Sequence, residues 1–339
     1  MEFLIEVGAF SAKALVIVVS FIVVIIAIAS AVAKNKVGHE KIEVKNLNDK
    51  FKDLTEVIHS KVLSKKELKD RLKEFKKDQK KQSKEKTPKK NVFVLDFDGD
   101  IKASAVSQFR DEISTILSLK DNCSEVVIRL ESPGGMVHSY GLASSQILRL
   151  KEQNIPTTVC VDKVAASGGY MMACVSDKIV AAPFAILGSI GVLAQIPNFN
   201  KVLKKNDVEY QEITAGEYKR TLSLFGEITE KGKQKFTEDI VRTHGLFKKW
   251  VADRRPKVDI EKIATGETWY GQECLQNGLA DEIKTSDEYI LNLIPNHSVY
   301  SLKVTGRKSF QEKLQDSFGQ VVSSRIPEWL MTWNQKRWY

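Results

Sequence analysis

Asn91-Val-Phe-Val-Leu-Asp-Phe97, Glu125-Val-Val-Ile-Arg-Leu130 and Thr157-Thr-Val-Cys-Val161 are three short, largely apolar, β-branched runs. Helical spacing fills the intervals between them, over Ala103–Leu119 and Ser139–Gln153, and a further short strand lies within Ala173–Ala181. Strands that alternate with helices in this way form β-α units around a mostly parallel sheet. Both faces of such a sheet are buried, which explains apolar runs lacking a polar residue at every second position. The expected class is α/β.

Two loops leave these strands with chemistry in them. Glu131-Ser-Pro-Gly-Gly-Met136 follows the strand ending at Leu130. Proline and two glycines by themselves signal a turn, but they also free backbone N–H groups to face a developing oxyanion. Val164-Ala-Ala-Ser-Gly-Gly-Tyr170 follows the strand ending near Val161. Its small residues allow a sharp strand-to-helix turn with the Ser167 hydroxyl at the helix start, where the dipole and the Gly168 N–H favour negative charge. Alone, Ser167 reads as an N-cap. Two such loops, each after a buried strand, favour a nucleophile beside an oxyanion hole.

A third segment, Leu187-Gly-Ser-Ile-Gly-Val192, completes a set. Together with Ser132-Pro-Gly-Gly and Ala166-Ser-Gly-Gly-Tyr it resembles the signature of the signal peptide peptidase A family of serine proteases, over about Asn91 to Ile283. The resemblance implies a ClpP/crotonase-like spiral of β-β-α units. One anchor, a lysine-rich spacer and a single catalytic copy resemble the SohB-type branch of bacterial inner-membrane proteases.

A serine hydroxyl needs a proton acceptor to attack a carbonyl. The histidines are His39, His59, His138, His244 and His297; the position at which the ClpP family carries its histidine is Val192 here. Spacing leaves His138 open, and His244 less so. A desolvated lysine also serves, because burial disfavours its charged form. The resemblance selects Lys219, in Ile213-Thr-Ala-Gly-Glu-Tyr-Lys-Arg-Thr-Leu-Ser, as the family's base in a Gly-x-x-Lys stretch. It also implies Ser189 as the serine that orients the lysine, and Gly135 and Gly168 as the oxyanion-hole donors. Arg220 is no base, since guanidinium stays protonated.

Ala14 to Ala33 is a run of twenty residues without charge, long enough to cross a bilayer core and longer than a signal-peptide core. It reads as a permanent single-pass anchor. The chain has 339 residues with 52 Lys and Arg against 43 Asp and Glu. Fourteen of the basic residues and five of the acidic ones fall between Lys61 and Lys90, so the rest holds 38 of each sign. The excess therefore marks a spacer and excludes a basic nucleic-acid-binding core. The expected organisation is an anchor over 1–33, a charged helical spacer over 34–90, a protease domain over 91–283 and an extension over 284–339. Within the spacer, Phe51 to Phe75 has amphipathic helical spacing.

Lys34, Lys36, Lys41 and Lys45 after the span would place the domain in the cytoplasm; the resemblance implies the periplasm, which is the expectation kept. Four scattered cysteines, without CxxC, read as buried free thiols and make no zinc site. No cofactor is expected. Ala181–Pro197 is nearly all apolar and suits the wall of a hydrophobic substrate groove. The expected partners are peptide or protein substrates, such as signal peptide remnants or misfolded segments, and further copies of the chain. Lys308–Arg325 has helical apolar spacing, and Trp329, Trp333 and Trp338 crowd the end. A non-catalytic scaffold and a crotonase-type acyl-CoA enzyme are the rival readings; neither would need Ser167 with Lys219.

Overall fold

The computed structural model describes residues 13, 15–21, 24, 41–64, 66, 67, 73 and 90–305. The greater part of the apolar run Ala14–Ala33, most of the lysine-rich run, the 308–325 segment and the three C-terminal tryptophans lie outside the described residues. Where that apolar run is described, Leu15–Phe21 and Val24 are helical with exposed side chains. Among the described residues no helix is long and apolar enough to cross a membrane.

Ile42 to Val304 forms one compact unit of the mixed α/β class expected from the sequence. Its elements are β1 (Lys41–Asn46), α1 (Leu47–Val62), β2 (Asn91–Asp98), α2 (Val106–Ser118), β3 (Cys123–Glu131), α3 (Val137–Glu152), β4 (Thr157–Val161), β5 (Val164–Ala166) and α4 (Gly168–Ala173). There follow β6 (Lys178–Ala181), β7 (Ile186–Gly188), α5 (Asn200–Lys205), α6 (Glu230–Ala252), α7 (Ile260–Ile263), β8 (Thr268–Tyr270), α8 (Gly271–Gln276), β9 (Glu282–Ile283), α9 (Ser286–Leu293) and β10 (Ser298–Thr305). A seven-stranded sheet has the order β1-β10-β2-β3-β4-β6-β9, and all its pairs from β10 to β9 are parallel. A three-stranded sheet has the order β5-β7-β8, with β5 and β7 parallel and β8 antiparallel to β7. The chain thus visits the large sheet with β4 and β6 and the small one with β5 and β7.

Alternation along the strands feeds two cores. Phe93, Leu95, Phe97, Val126, Ile128, Leu130, Val159 and Ile179 face the major core, packed with Phe109, Ile113, Ile147 and Phe247 from the helices. Val92, Val94, Val127, Cys160 and Val180 face the other way, onto Leu47 of α1, Ile290 of α9 and Val299 of β10. Burial on both faces is the physical origin of the unbroken apolar runs.

Two elements outside residues 91–283 belong to the large sheet: β1 and β10. Asn48 explains the junction. Its amide nitrogen donates to the carbonyls of Ile294 (3.1 Å) and His297 (2.9 Å), and its Oδ1 accepts the Val299 N–H at 2.7 Å. Helix α1 therefore buries only its first turns; Leu54, Ile58 and Val62 of the same amphipathic stripe remain exposed.

The far end of the unit is fastened by an ion pair between a buried Arg255 and a partly exposed Asp281. Arg255 donates to both carboxylate oxygens of Asp281 at 2.8 and 2.9 Å and to the Gly278 carbonyl at 2.8 Å. Asp281 Oδ2 also accepts the Ile179 N–H of β6 at 2.8 Å. Burial would raise the Asp281 carboxyl, but the hydrogen bonds from Arg255 and Ile179 outweigh it and hold the group below its ordinary value. A carboxylate lowered on folding stabilises the protein above its unfolded value, and that contribution fades as pH falls through the folded value. With Asp281 partly exposed, loss of its charge costs about 1–2 kcal/mol. Asp281→Asn is expected to lower the unfolding free energy measured in urea at pH 7 by that amount. The gap to the parent should narrow below pH 4, and an unchanged midpoint at pH 7 would remove the pair from the account of stability.

Candidate active site

The site lies at the carboxyl ends of the parallel strands, where open α/β sheets place their clefts. It is built from three chain segments laid side by side. In the middle is the end of β5. On one side Ser132 bonds it as an extra parallel bridge: Ser132 N–H donates to the Val164 carbonyl at 2.8 Å, and Ala166 N–H to the Ser132 carbonyl at 3.0 Å. On the other side β7 pairs in register, with Ala166 opposite Gly188, and the Ser167 N–H donates to the Gly188 carbonyl at 2.8 Å.

This framing sets Ser167. Its backbone sits at φ 50°, ψ −115°, immediately before α4. Non-glycine residues avoid that region, at a cost of roughly 1–3 kcal/mol, and cluster at functional sites when they adopt it. Ser167 is half-buried, whereas Gly168, Gly169 and Tyr170 behind it are buried. Ser189 is the matching residue after β7, and it too has a left-handed backbone, φ 49°. Its N–H donates to the Glu267 carbonyl at 2.6 Å. Two serines thus leave adjacent parallel strands at the same level.

The Ser132-Pro-Gly-Gly loop closes over Ser167. Gly134 has φ +92°, and a Cβ there would fall 2.7 Å from Ser167 Cβ and 2.8 Å from the Gly168 nitrogen. Glycine is required both by the backbone and by the approach. Gly168 stands equally close to the Tyr140 ring, 2.4 Å from where its own Cβ would be. The Gly134 N–H is used internally, donating to Ser132 Oγ at 3.1 Å. The Gly135 and Gly168 N–H groups have no protein acceptor among the described residues, and Gly168 begins a helix, where the dipole attracts negative charge. Two unspent donors beside one hydroxyl can hold an oxyanion.

The structure brings Ser167, Ser189, Gly135 and Gly168 together. It does not bring Lys219 to them: this lysine lies on the segment 206–229 between α5 and α6, with its side chain exposed. Its neighbours are paired, Glu217 with Lys231 and Arg220 with Glu212, but the Lys219 ammonium has no hydrogen-bond or ion-pair partner among the described residues. The described histidines do not hydrogen-bond Ser167 either. His138 is exposed on the first turn of α3, and His244 Nε2 meets the Ile190 carbonyl at 3.0 Å. His39 lies outside the described residues.

The cysteines offer no rival nucleophile. All four are free, and burial pushes the Cys123 thiol up to about 11 and those of Cys174 and Cys274 to about 12. Sequence reasoning missed Tyr140 and Glu267. Tyr140 occupies a core-facing helical position, where an aromatic reads as packing, and Glu267 contributes only its carbonyl.

Comparison with known proteins identifies the family. The family profile "Peptidase family S49 N-terminal" matches residues 2–147, and "Peptidase family S49" matches residues 149–299. "Probable protease SohB" of Haemophilus influenzae is 51% identical over 292 residues, covering 83% of this chain and 82% of its own. "Probable protease SohB" of Buchnera aphidicola subsp. Acyrthosiphon pisum is 42% identical over 326 residues, covering 96% and 97%. Among solved structures, a "1510-N membrane-bound stomatin-specific protease" in complex with a substrate peptide covers 68% of this chain and 99% of its own, at 17% identity and TM-score 0.41. With the two profiles together spanning residues 2–299 and relatives matched over most of their length, the chain belongs to peptidase family S49, and within it to the SohB-type proteases.

Proposed function

We propose that the chain is a membrane-anchored serine endopeptidase acting through a Ser167/Lys219 dyad. The single observation that carries the serine assignment is the left-handed backbone of Ser167, between two unspent amide donors. Lys219 takes the Ser167 proton as Oγ bonds to the peptide carbonyl carbon. The carbonyl electron pair moves onto oxygen, held by the Gly135 and Gly168 N–H groups. The intermediate collapses, Lys219 returns the proton to the leaving amine, and an acyl-enzyme remains. Water, losing its proton to Lys219, attacks the acyl carbon; as the ester bond breaks, Lys219 returns that proton to Ser167 Oγ and the acid leaves. Ser189, the matching residue after β7, is the group that orients the lysine. The ClpP/crotonase-type spiral is the arrangement that alternation between the two sheets fits.

A lysine acts as a base only where water is kept from its ammonium. Lys219 is exposed in the single chain, and the surrounding segment carries exposed apolar side chains: Leu193, Val202, Val208, Tyr218, Phe225 and Ile213, the last 96% exposed. Apolar side chains exposed in such number along one segment suit an association site. On this reading a homo-oligomer covers the segment and desolvates Lys219 beside a Ser167. Exposed Ile101, Met136 and Val137 flank the Gly135 loop, and Phe184 and Leu193 flank the other side. That lining suits extended apolar peptides, such as signal peptide remnants or misfolded segments.

Residues 14–33 are the proposed bilayer span, with the protease domain in the periplasm. The support is the uncharged run and the exposed helical side chains of Leu15–Phe21 within it.

Ser167→Ala and Lys219→Ala are each expected to abolish casein cleavage and labelling by a fluorophosphonate probe, with the label in the parent mapped to Ser167 by mass spectrometry. Full activity in either variant removes that residue from the mechanism. Turnover per chain should fall on dilution through the range where sedimentation reports dissociation; constant specific activity in monomers would refute the role of assembly. A periplasm-dependent reporter fused after Thr305 should be active, and a cytoplasm-dependent one inactive; the reverse pattern would invert the topology.

A further inference from the structure

We infer that Ser132 and Tyr140 are positioning residues that set the Gly135 donor of the oxyanion hole. The inference rests on the serine-protease reading above and deepens it. Ser132 is fully buried and Tyr140 equally so, yet both carry a hydroxyl. Buried hydroxyls are retained where they find partners, and these two find each other at 2.5 Å.

Counting protons assigns the direction of every bond. The Asp100 carbonyl can only accept, so the Tyr140 hydroxyl donates its one proton there, at 2.7 Å. Tyr140 Oη must then accept from Ser132, whose hydroxyl proton is thereby spent. Ser132 Oγ in turn accepts the Gly134 N–H at 3.1 Å. The chain runs one way, from the Gly134 N–H through Ser132 and Tyr140 to the Asp100 carbonyl. It joins the loop after β2, the loop after β3 and helix α3.

Its consequence falls on the next peptide. Turning the Gly134 N–H inward, with Gly134 at φ +92°, leaves the following N–H, that of Gly135, unspent. The same residues buttress the other donor. The Tyr140 ring lies against Gly168, and the Ser132 carbonyl accepts the Ala166 N–H one residue before Ser167. One pair of residues therefore reaches both sides of the hole: its hydroxyls hold the Gly134 N–H, and the Tyr140 ring and Ser132 carbonyl support the Ser167–Gly168 side. A buried N–H deprived of Ser132 would seek another acceptor, because leaving it unmade costs about 1–3 kcal/mol. The peptide rotation that satisfies it would carry the Gly135 N–H out of line.

The test uses full-length protein in detergent, with Tyr140→Phe, Ser132→Ala, Ser132→Thr and the double variant Ser132→Ala/Tyr140→Phe. Loss of a whole oxyanion donor costs about 10²–10³ in kcat, and a displaced donor is expected to cost less, about tenfold. Ser132→Ala should lower kcat and the rate of fluorophosphonate labelling of Ser167 by the same factor, with KM unchanged. Tyr140→Phe should act in the same direction, and the double variant should be no worse than Ser132→Ala, as for members of one chain of bonds. Ser132→Thr, which keeps the hydroxyl, should recover most of the rate. Tyr140→Phe, which removes one oxygen and keeps the ring, carries the test if Ser132→Ala does not fold. Unchanged kcat and labelling in folded Tyr140→Phe overturns the inference while leaving the serine assignment intact. Losses that only track the folded fraction measured by thermal melting overturn it equally. Absence of any label on Ser167 in the parent overturns the serine reading itself, and the inference with it.

Discussion

The lateral register of β5 is the constraint on which the site depends. This strand has three residues, yet backbone hydrogen bonds hold it on both flanks, from Ser132 on one and from β7 on the other. A peptide unit is rigid, so fixing the Ala166 and Ser167 amide groups leaves little freedom at the Ser167 α-carbon. The left-handed serine is what remains when the helix α4 must start at once behind it. Helix α4 has no freedom to relax either, because Tyr170, Met172 and Ala173 are fully buried and the Tyr170 hydroxyl donates to the Leu279 carbonyl at 3.1 Å. The strain at Ser167 is thus carried by packing outside the site. The same argument applies one strand over, where Ser189 follows Gly188 and is tied to the Glu267 carbonyl.

What the sequence made legible follows from burial. β2, β3 and β4 were readable because both their faces are covered, and neighbouring residues such as Val92 and Phe93 serve different cores. β1 and β10 were not, since Lys41–Asn46 and Ser298–Thr305 mix lysine and serine among their apolar residues as outer strands do. The strands of the small sheet are three residues each, too short for any period. At the candidate site, the loops around Ser167, Gly168 and Gly135 were conspicuous because glycine-rich composition announces unusual backbone, whereas Ser189 was reached through the resemblance. Tyr140 was invisible for the opposite reason: a helical aromatic announces packing, and only a three-dimensional structure reveals that its hydroxyl joins two loops. Lys219 was reachable only by resemblance, because a solvated lysine on an irregular segment has no local mark.

The exposure of Lys219 is also informative about control. A proton acceptor that is solvated in the single chain and needed dry for catalysis makes the proposed activity conditional on whatever covers residues 193–228. Charge opposes a second copy as that cover only weakly. Residues 91–305 hold 28 Asp and Glu against 25 Lys and Arg, a net of −3. Pairing of Glu217 with Lys231 and of Arg220 with Glu212 neutralises the charges that flank Lys219 and would otherwise have to be desolvated with it. Tethering to a bilayer would confine the copies to a plane and raise their effective concentration. On the proposed reading, anchor and uncovered lysine belong to one arrangement: a strained serine in place, and a base supplied where chains gather.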